Sequence, residues 1–344
     1  MSPPPILARV WRGDRVESTH RGSVAVVDED GRLVAGAGAP RAGIYLRSAA
    51  KPFQAMPLLE GGGEKVFGLG RDEVALLCAS HGGEPRHVRV ARRMLARGGF
   101  SIGDLACGAD MPMDEPSARA LVRAGRRPTA LHNNCSGKHA GLLLACRLYG
   151  FEPDGYWKRG HPLQRIIVKR LANFCGVPVS RVGFAVDGCS LPVFHLPLSR
   201  LAFGYARLVA PARPRESPHP AVRERLCAAM WDSPGMVAGR GRFTTEFLQA
   251  GRGGWIGKEG AEGVYAIGLA ARKGEKALGI AFKLEDGSAR ARDAVALDIL
   301  ARLGRLPGSA RRLLSRHVSP VLRNVRGVAV GSIEADVPLE EVES

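Results

Sequence analysis

The strand-like segments of this chain sit at its two ends, and helix-like segments fill the middle. Residues 5 to 37 hold ILARVWRG, SVAVVDEDG and RLVAGAG, short β-rich runs with a Glu-Asp-Gly turn between the second and third. Towards the other end, GVYAIGLAA and KALGIAFKLEDG are joined by RKGE, a hairpin signal. A helix over residues 289 to 303 and the strand GVAVGSIEADV follow. Between the two strand groups, AAKPFQAMPLLE, DEVALLCAS, RHVRVARRMLARGG, SARALVRAG, GLLLACRLYG, HPLQRIIVKRLANFCG and SRLAFGYARLVA all read as helices, as do residues 221 to 231. Pro57 should bend the first of them. SRVGFAVDGCSLPVFHLP reads as a strand ending in a turn, and PARPRESPHP, residues 211 to 220, as a surface loop. This order does not suit a βαβ repeat. It predicts an α+β fold: an antiparallel sheet built from both termini, about 5–40 and 260–335, with a helical layer, about 49–232, inserted. The 344 residues are read as a single domain.

Composition narrows the function classes. The formal charge of +17 points at first to nucleic acid. Yet 41 of the 50 basic residues are arginines scattered along the chain, no five basic residues run together, and aromatics are too sparse for base stacking. The charge is read as a solvated, arginine-rich surface, with no nucleic-acid partner. No apolar run reaches the roughly 20 residues a membrane span needs, and MSPPPILARVWRGD lacks the form of a signal peptide. A cytoplasmic protein without a membrane partner is expected. Seven cysteines, an odd number in a long chain, argue against a disulfide framework. Cys78, Cys146 and Cys227 lie in apolar runs and read as buried structural thiols; Cys135 and Cys189 are flanked by small and polar residues.

Several short segments carry chemistry. In RSAAKPF, Ser48 and Lys51 stand three apart at a helix start, on one face. A serine hydroxyl becomes a useful nucleophile when a neutral lysine takes its proton, and shielding from water favours the neutral amine. Ser-x-x-Lys alone is a weak signal, and an N-cap before an exposed lysine describes it better. Ser80 and His81, in ASHGGE, read on their own as a turn capping the next helix. Lys258 stands in WIGKEG, on a glycine-bracketed turn just before a hairpin strand. Lys-x-Gly leading into such a strand, with Ser-x-x-Lys far upstream, is a pattern of serine acyl-transfer enzymes.

The densest segment is LHNNCSGKHAG, residues 131 to 141. Cys135 and Lys138 sit three apart at a helix N-terminus, where backbone N–H groups lower a thiol's pKa. Cys189 follows Asp187 and Gly188 at a strand end, so the two cysteines meet only through the fold. A metal is one reason to gather them, since thiolates suit zinc. A phosphate or carboxylate site at the helix start is the other reading.

RSAAKPFQ, SHGGE, NNCSGKHAG, DGCSLP and the GKEG loop, in this order and at nearly this spacing, resemble the L-asparaginase II family, the Rhizobium-type or class 3 asparaginases. The resemblance spans residues 10 to 335. It implies a serine β-lactamase-like fold, hydrolysis of L-asparagine to L-aspartate and ammonia, and a homodimer. It implies two Ser-Lys tandems, matching Ser48 with Lys51 and Ser80 with Lys258, and a zinc site matching Cys135, Lys138 and Cys189. His139 and Asp187 match residues lining the same pocket, and Arg47 is taken with them as substrate-binding. Thr244 departs from the pattern, standing where an aspartate or cysteine is expected. A glutaminase or β-lactamase-like hydrolase would share the Ser-Lys signals but gives no reason for the cysteines. A zinc-stabilised nucleic-acid-binding protein would explain charge and cysteines but not the Ser-Lys pairs.

Overall fold

The computed structural model describes residues 3–212 and 220–342, so most of the loop expected at 211–220 lies outside the described residues. The chain divides into two compact units. The first comprises Met1–Ala49, Leu196–Pro211 and Ala250–Ser344; the second comprises Ala50–His195 and Ala212–Gln249.

The first unit is the antiparallel sheet expected from both ends. Its strands lie in the spatial order Val321–Arg323, Ala329–Ala335, Ile6–Arg12, Arg15–Asp28, Leu278–Leu284, Val264–Leu269 and Trp255–Glu259. Leu33–Ala37 and Glu340–Glu341 branch from it: Leu33–Ala37 pairs with the later half of Arg15–Asp28. Arg9 pairs opposite Glu334, so the two ends of the chain share one ladder. The strands Val264–Leu269 and Leu278–Leu284 are buried on both faces at almost every position, and they read as continuous apolar runs for that reason. The helix Leu198–Val209 lies on one face, against Val264–Leu269, Leu278–Leu284 and Arg15–Asp28. Its approach is close enough that a Cβ at Gly279 would stand 1.7 Å from the Ala202 carbonyl oxygen. The helix Arg292–Arg302 packs against Ala329–Ala335, Ile6–Arg12 and Val264–Leu269.

The second unit is helical. Two of its helices are buried all round, a pattern that belongs to a core rather than a surface. Every residue of Lys51–Leu59 is buried in the helix Lys51–Glu60, and every residue of Ser136–Cys146 is buried in the helix Ser136–Tyr149. These two pack on each other and are flanked by Arg71–Leu77, Pro85–Arg97 and Pro162–Phe174. Pro57 sits inside its helix, where the Tyr149 hydroxyl donates to the Pro57 carbonyl at 2.8 Å. The segment expected as one strand with a turn is a hairpin: Gly183–Val186 pairs antiparallel with Pro192–Pro197, and Asp187 and Cys189 lie in the connection. Among the described residues no helix is long and apolar enough to cross a membrane.

Candidate active site

Both all-buried helices of the second unit begin where its chemistry gathers. Lys51 opens the first, with a side chain that is 0% exposed. Its Nζ donates to the Ala79 carbonyl at 2.5 Å and to Ser80 Oγ at 3.0 Å. Ser80 follows the helix Arg71–Leu77 and is pinned on both sides. Its N–H donates to Val237 O at 3.0 Å, and its carbonyl accepts from Arg242 Nη1 at 2.9 Å.

Cys135 precedes the second buried helix, and its thiol is hydrogen-bonded to Cys189 and to Lys51. Lys138, one turn on, donates from Nζ to Cys189 Sγ at 3.0 Å. Lys51 thus touches both the serine hydroxyl and the thiol pair, and the two groups form one cluster. The hydrogen bond from Cys189 holds the Cys135 thiol well below its ordinary range, against burial and with help from Lys138 and Lys51. The same hydrogen bond, with burial, pushes Cys189 up. The shared hydrogen bond thus favours the deprotonated form at Cys135 over that at Cys189. Burial opposes the charge on Lys138, but Cys135 and Cys189 outweigh it and raise its pKa above the ordinary lysine value.

His139 is fully buried, and Tyr156 Oη lies 2.7 Å from its Nδ1. The same oxygen accepts the Ala106 N–H at 2.9 Å. Burial, with Lys138 and Lys51 nearby, holds the His139 ring well below the ordinary imidazole range. Thr244 is buried, 2% exposed, in the helix Phe243–Gly251. Cys189 Sγ lies 3.9 Å from Asp187 Oδ2.

The remaining sequence-derived residues lie in the first unit. Ser48 is half-buried in the 3₁₀ turn Arg47–Ala50, which runs straight into the helix of Lys51. Arg47 has φ +48° and Ser190, next to Cys189, has φ +72°. A left-handed backbone at a non-glycine residue costs about 1–3 kcal/mol and is kept where surroundings enforce it. Arg47 Nη1 lies 3.8 Å from Glu262 Oε1. Lys258 is not on a turn. It lies inside the strand Trp255–Glu259, opposite Ala266, because the apolar run of that strand extends through the glycines that suggested a loop. It is 0% exposed, with its Nζ 2.9 Å from the Glu259 carbonyl and 3.2 Å from Glu259 Oε1.

The structure thus brings together Lys51, Ser80, Cys135, Lys138, His139 and Cys189. Sequence reasoning missed Tyr156, Arg242 and the part played by His81. Arg242 was hidden among many arginines and Tyr156 lies in no motif. The two glycines after His81 were a signal: a Cβ at Gly83 (φ +74°) would stand 2.8 Å from the His132 carbonyl.

As to metal, no group of three His, Cys, Asp or Glu side chains gathers about a common point among the described residues. Two cysteine sulfurs and the Lys138 amine do converge, and their chemistry fits zinc provided each gives up its proton.

A buried lysine thus stands against a serine hydroxyl, next to a thiol pair. The L-asparaginase II family profile matches residues 8–335. The chain belongs to the L-asparaginase II family. Among solved structures, it is similar to Mglu in its native form, at 18% identity over 84% of this chain and 66% of that one, with a TM-score of 0.46. It is also similar to Mglu in its glutamate form, at 16% identity over 83% and 61%, with a TM-score of 0.35. The chain spans about two thirds of the length of these structures. No curated protein matches.

Proposed function

We propose that the chain is an L-asparaginase, hydrolysing the side-chain amide of L-asparagine to L-aspartate and ammonia through a serine ester. Family membership supports the amidohydrolase class. The observation that carries the mechanism is the Lys51 Nζ, fully buried and 3.0 Å from Ser80 Oγ. Ser48, three residues before Lys51, attacks the amide carbonyl while Lys51, in its neutral form, takes the hydroxyl proton. Lys51 passes that proton along its hydrogen bond to Ser80, which delivers it to the departing nitrogen. Ammonia leaves, and water hydrolyses the ester by the same path in reverse. Lys258 is the partner assigned to Ser80 by the sequence resemblance. His139, Asp187 and Arg47 are the residues that the resemblance assigns to substrate binding, and the chain is read as one functional domain.

Cys135, Lys138 and Cys189 would hold a zinc ion, which would supply positive charge to grip the amino or carboxylate end of asparagine. A cytoplasmic homodimer completes the proposal, and light scattering measures the dimer. Ammonia release from asparagine and from glutamine, with and without zinc, tests the activity. No release from asparagine refutes it; faster release from glutamine makes the chain a glutaminase. Ser48→Ala with undiminished turnover, beside an inactive Ser80→Ala, transfers the nucleophile's role to Ser80.

A further inference from the structure

We infer that His81 is a positioning residue, whose ring ties the turn carrying Ser80 to the start of the helix carrying Lys138 by way of Ser136. The inference rests on the proposed reading of Ser80, Lys51 and the thiol pair as one apparatus.

Hydrogen-bond accounting fixes the ring. The Gly83 N–H donates to His81 Nδ1 at 3.1 Å, so that nitrogen carries a lone pair. The ring proton is then on Nε2, which lies 2.9 Å from Ser136 Oγ. Ser136 sends its own proton to the Leu131 carbonyl at 3.0 Å and therefore accepts from the ring. The relay Gly83, His81, Ser136, Leu131 has one sense only, and His81 and Ser136 are both 0% exposed. His87 stacks on His81, with ring centroids 4.9 Å apart and planes 19° from parallel. Its Nδ1 takes the Glu84 N–H at 3.2 Å, and its Nε2 meets the Gly235 carbonyl at 2.9 Å.

The two rings hold the turn 80–84 between two walls. One wall is 131–136, reached by the ring of His81 and by its N–H to Asn134 O at 3.2 Å. The other is 235–237, reached by the ring of His87 and by the Ser80 N–H to Val237 O. The turn is also held at Gly82 O by the Asp114 N–H at 2.8 Å and at Ser80 O by Arg242. The two rings add a side-chain tie to each wall, and that of His81 is the one that reaches the start of the Lys138 helix. Lys51 makes the consequence chemical. It bonds Ser80 Oγ on one wall's turn and the Cys135 thiol at the other helix's start. Sliding one past the other breaks one of these bonds, and misplacement of about 1 Å can cost on the order of 100-fold in rate.

The experiment uses three variants and one spectrum. His81→Asn keeps an oxygen for the Gly83 N–H but is too short to reach Ser136. His81→Gln places an amide nitrogen where Nε2 was. Ser136→Ala removes the acceptor and leaves the ring. Ser136→Ala and His81→Asn are expected to lower kcat for asparagine by on the order of 10- to 100-fold, with KM within about twofold. His81→Gln should recover most of that loss. The Asn/Ala double variant should be no worse than either single one, as for groups acting through one bond. Nitrogen-15 NMR of the histidine-labelled wild type should find the His81 ring proton on Nε2. A folded Ser136→Ala with wild-type kcat overturns the inference, as does a ring proton on Nδ1. Should His81→Asn fail to fold, Ser136→Ala and the spectrum decide. A wild type that releases no ammonia from asparagine refutes the proposed function instead, while the spectrum still judges the relay.

Discussion

Gly137 lies between Cys135 and Lys138, where the helix Ser136–Tyr149 crosses the helix Arg71–Leu77. A Cβ added there would stand 2.3 Å from Leu76 Cγ and 2.6 Å from the Leu76 carbonyl oxygen. The side-chain contact could turn away; the carbonyl belongs to a helix and cannot. Overpacking of this kind costs about 1–3 kcal/mol. Alanine returns less than about 1 kcal/mol in helix propensity, since the position is in the first turn. Gly137→Ala should therefore destabilise by about 1–2 kcal/mol. Gly160→Ala is the control: nothing lies within 4 Å of its Cβ, and its stability should stay within about 0.5 kcal/mol of wild type. Urea unfolding of both variants measures the difference. The displaced helix start should also lower kcat for asparagine at least about tenfold. If Gly137→Ala matches Gly160→Ala in stability and in rate, the helices are not held at the distance described and the site does not depend on it.

Acid should destabilise the fold. His81 and His139 are held well below the ordinary imidazole value of 6.5, chiefly by burial, with His87 and Lys51 adding at His81 and Lys138 and Lys51 at His139. The unfolded chain binds these protons and the folded chain does not, so stability is full above about pH 6.5 and falls below it, by about 1.4 kcal/mol per pH unit for each ring. A flat urea midpoint between pH 7 and 5.5 contradicts this, and His81→Gln should lessen the slope. Zinc affinity should rise with pH, because Cys189 and Lys138 hold their protons above ordinary values; calorimetry in buffers of different ionisation enthalpy counts the protons released, and a count of zero rules out Lys138 and Cys189 as ligands. Tyr156→Phe strands His139 Nδ1 and the Ala106 N–H and should cost about 2 kcal/mol; an unchanged unfolding midpoint would deny Tyr156 that role.

The fold was legible because its signals are local. Strand runs at both ends and glycine-stopped helices between them need no tertiary knowledge, and the antiparallel sheet followed. Lys258 misled because flanking glycines are a turn signal in isolation, whereas its strand is buried at every position and the sheet overrides them. The thiols and Lys138 were grouped through the family resemblance; residue type alone left a metal and an anion site as alternatives. The Lys51 to Ser80 bond was not legible, since 29 positions and three helices separate them and only the packing of the chain closes the gap. His81 carried a visible motif, yet its partner Ser136 lies 55 residues away. No spacing rule reaches that far.

Arg9 bonds Asp336 across 327 positions of sequence. The strand Ile6–Arg12 is made more than 300 residues before its outer neighbour Ala329–Ala335. At about 5–20 residues per second the wait is on the order of 15–65 s. Through that interval the early strand has an unclaimed edge, which invites pairing with other chains. Expression yield should thus respond to chaperone supply and to translation speed, apart from any change in final stability.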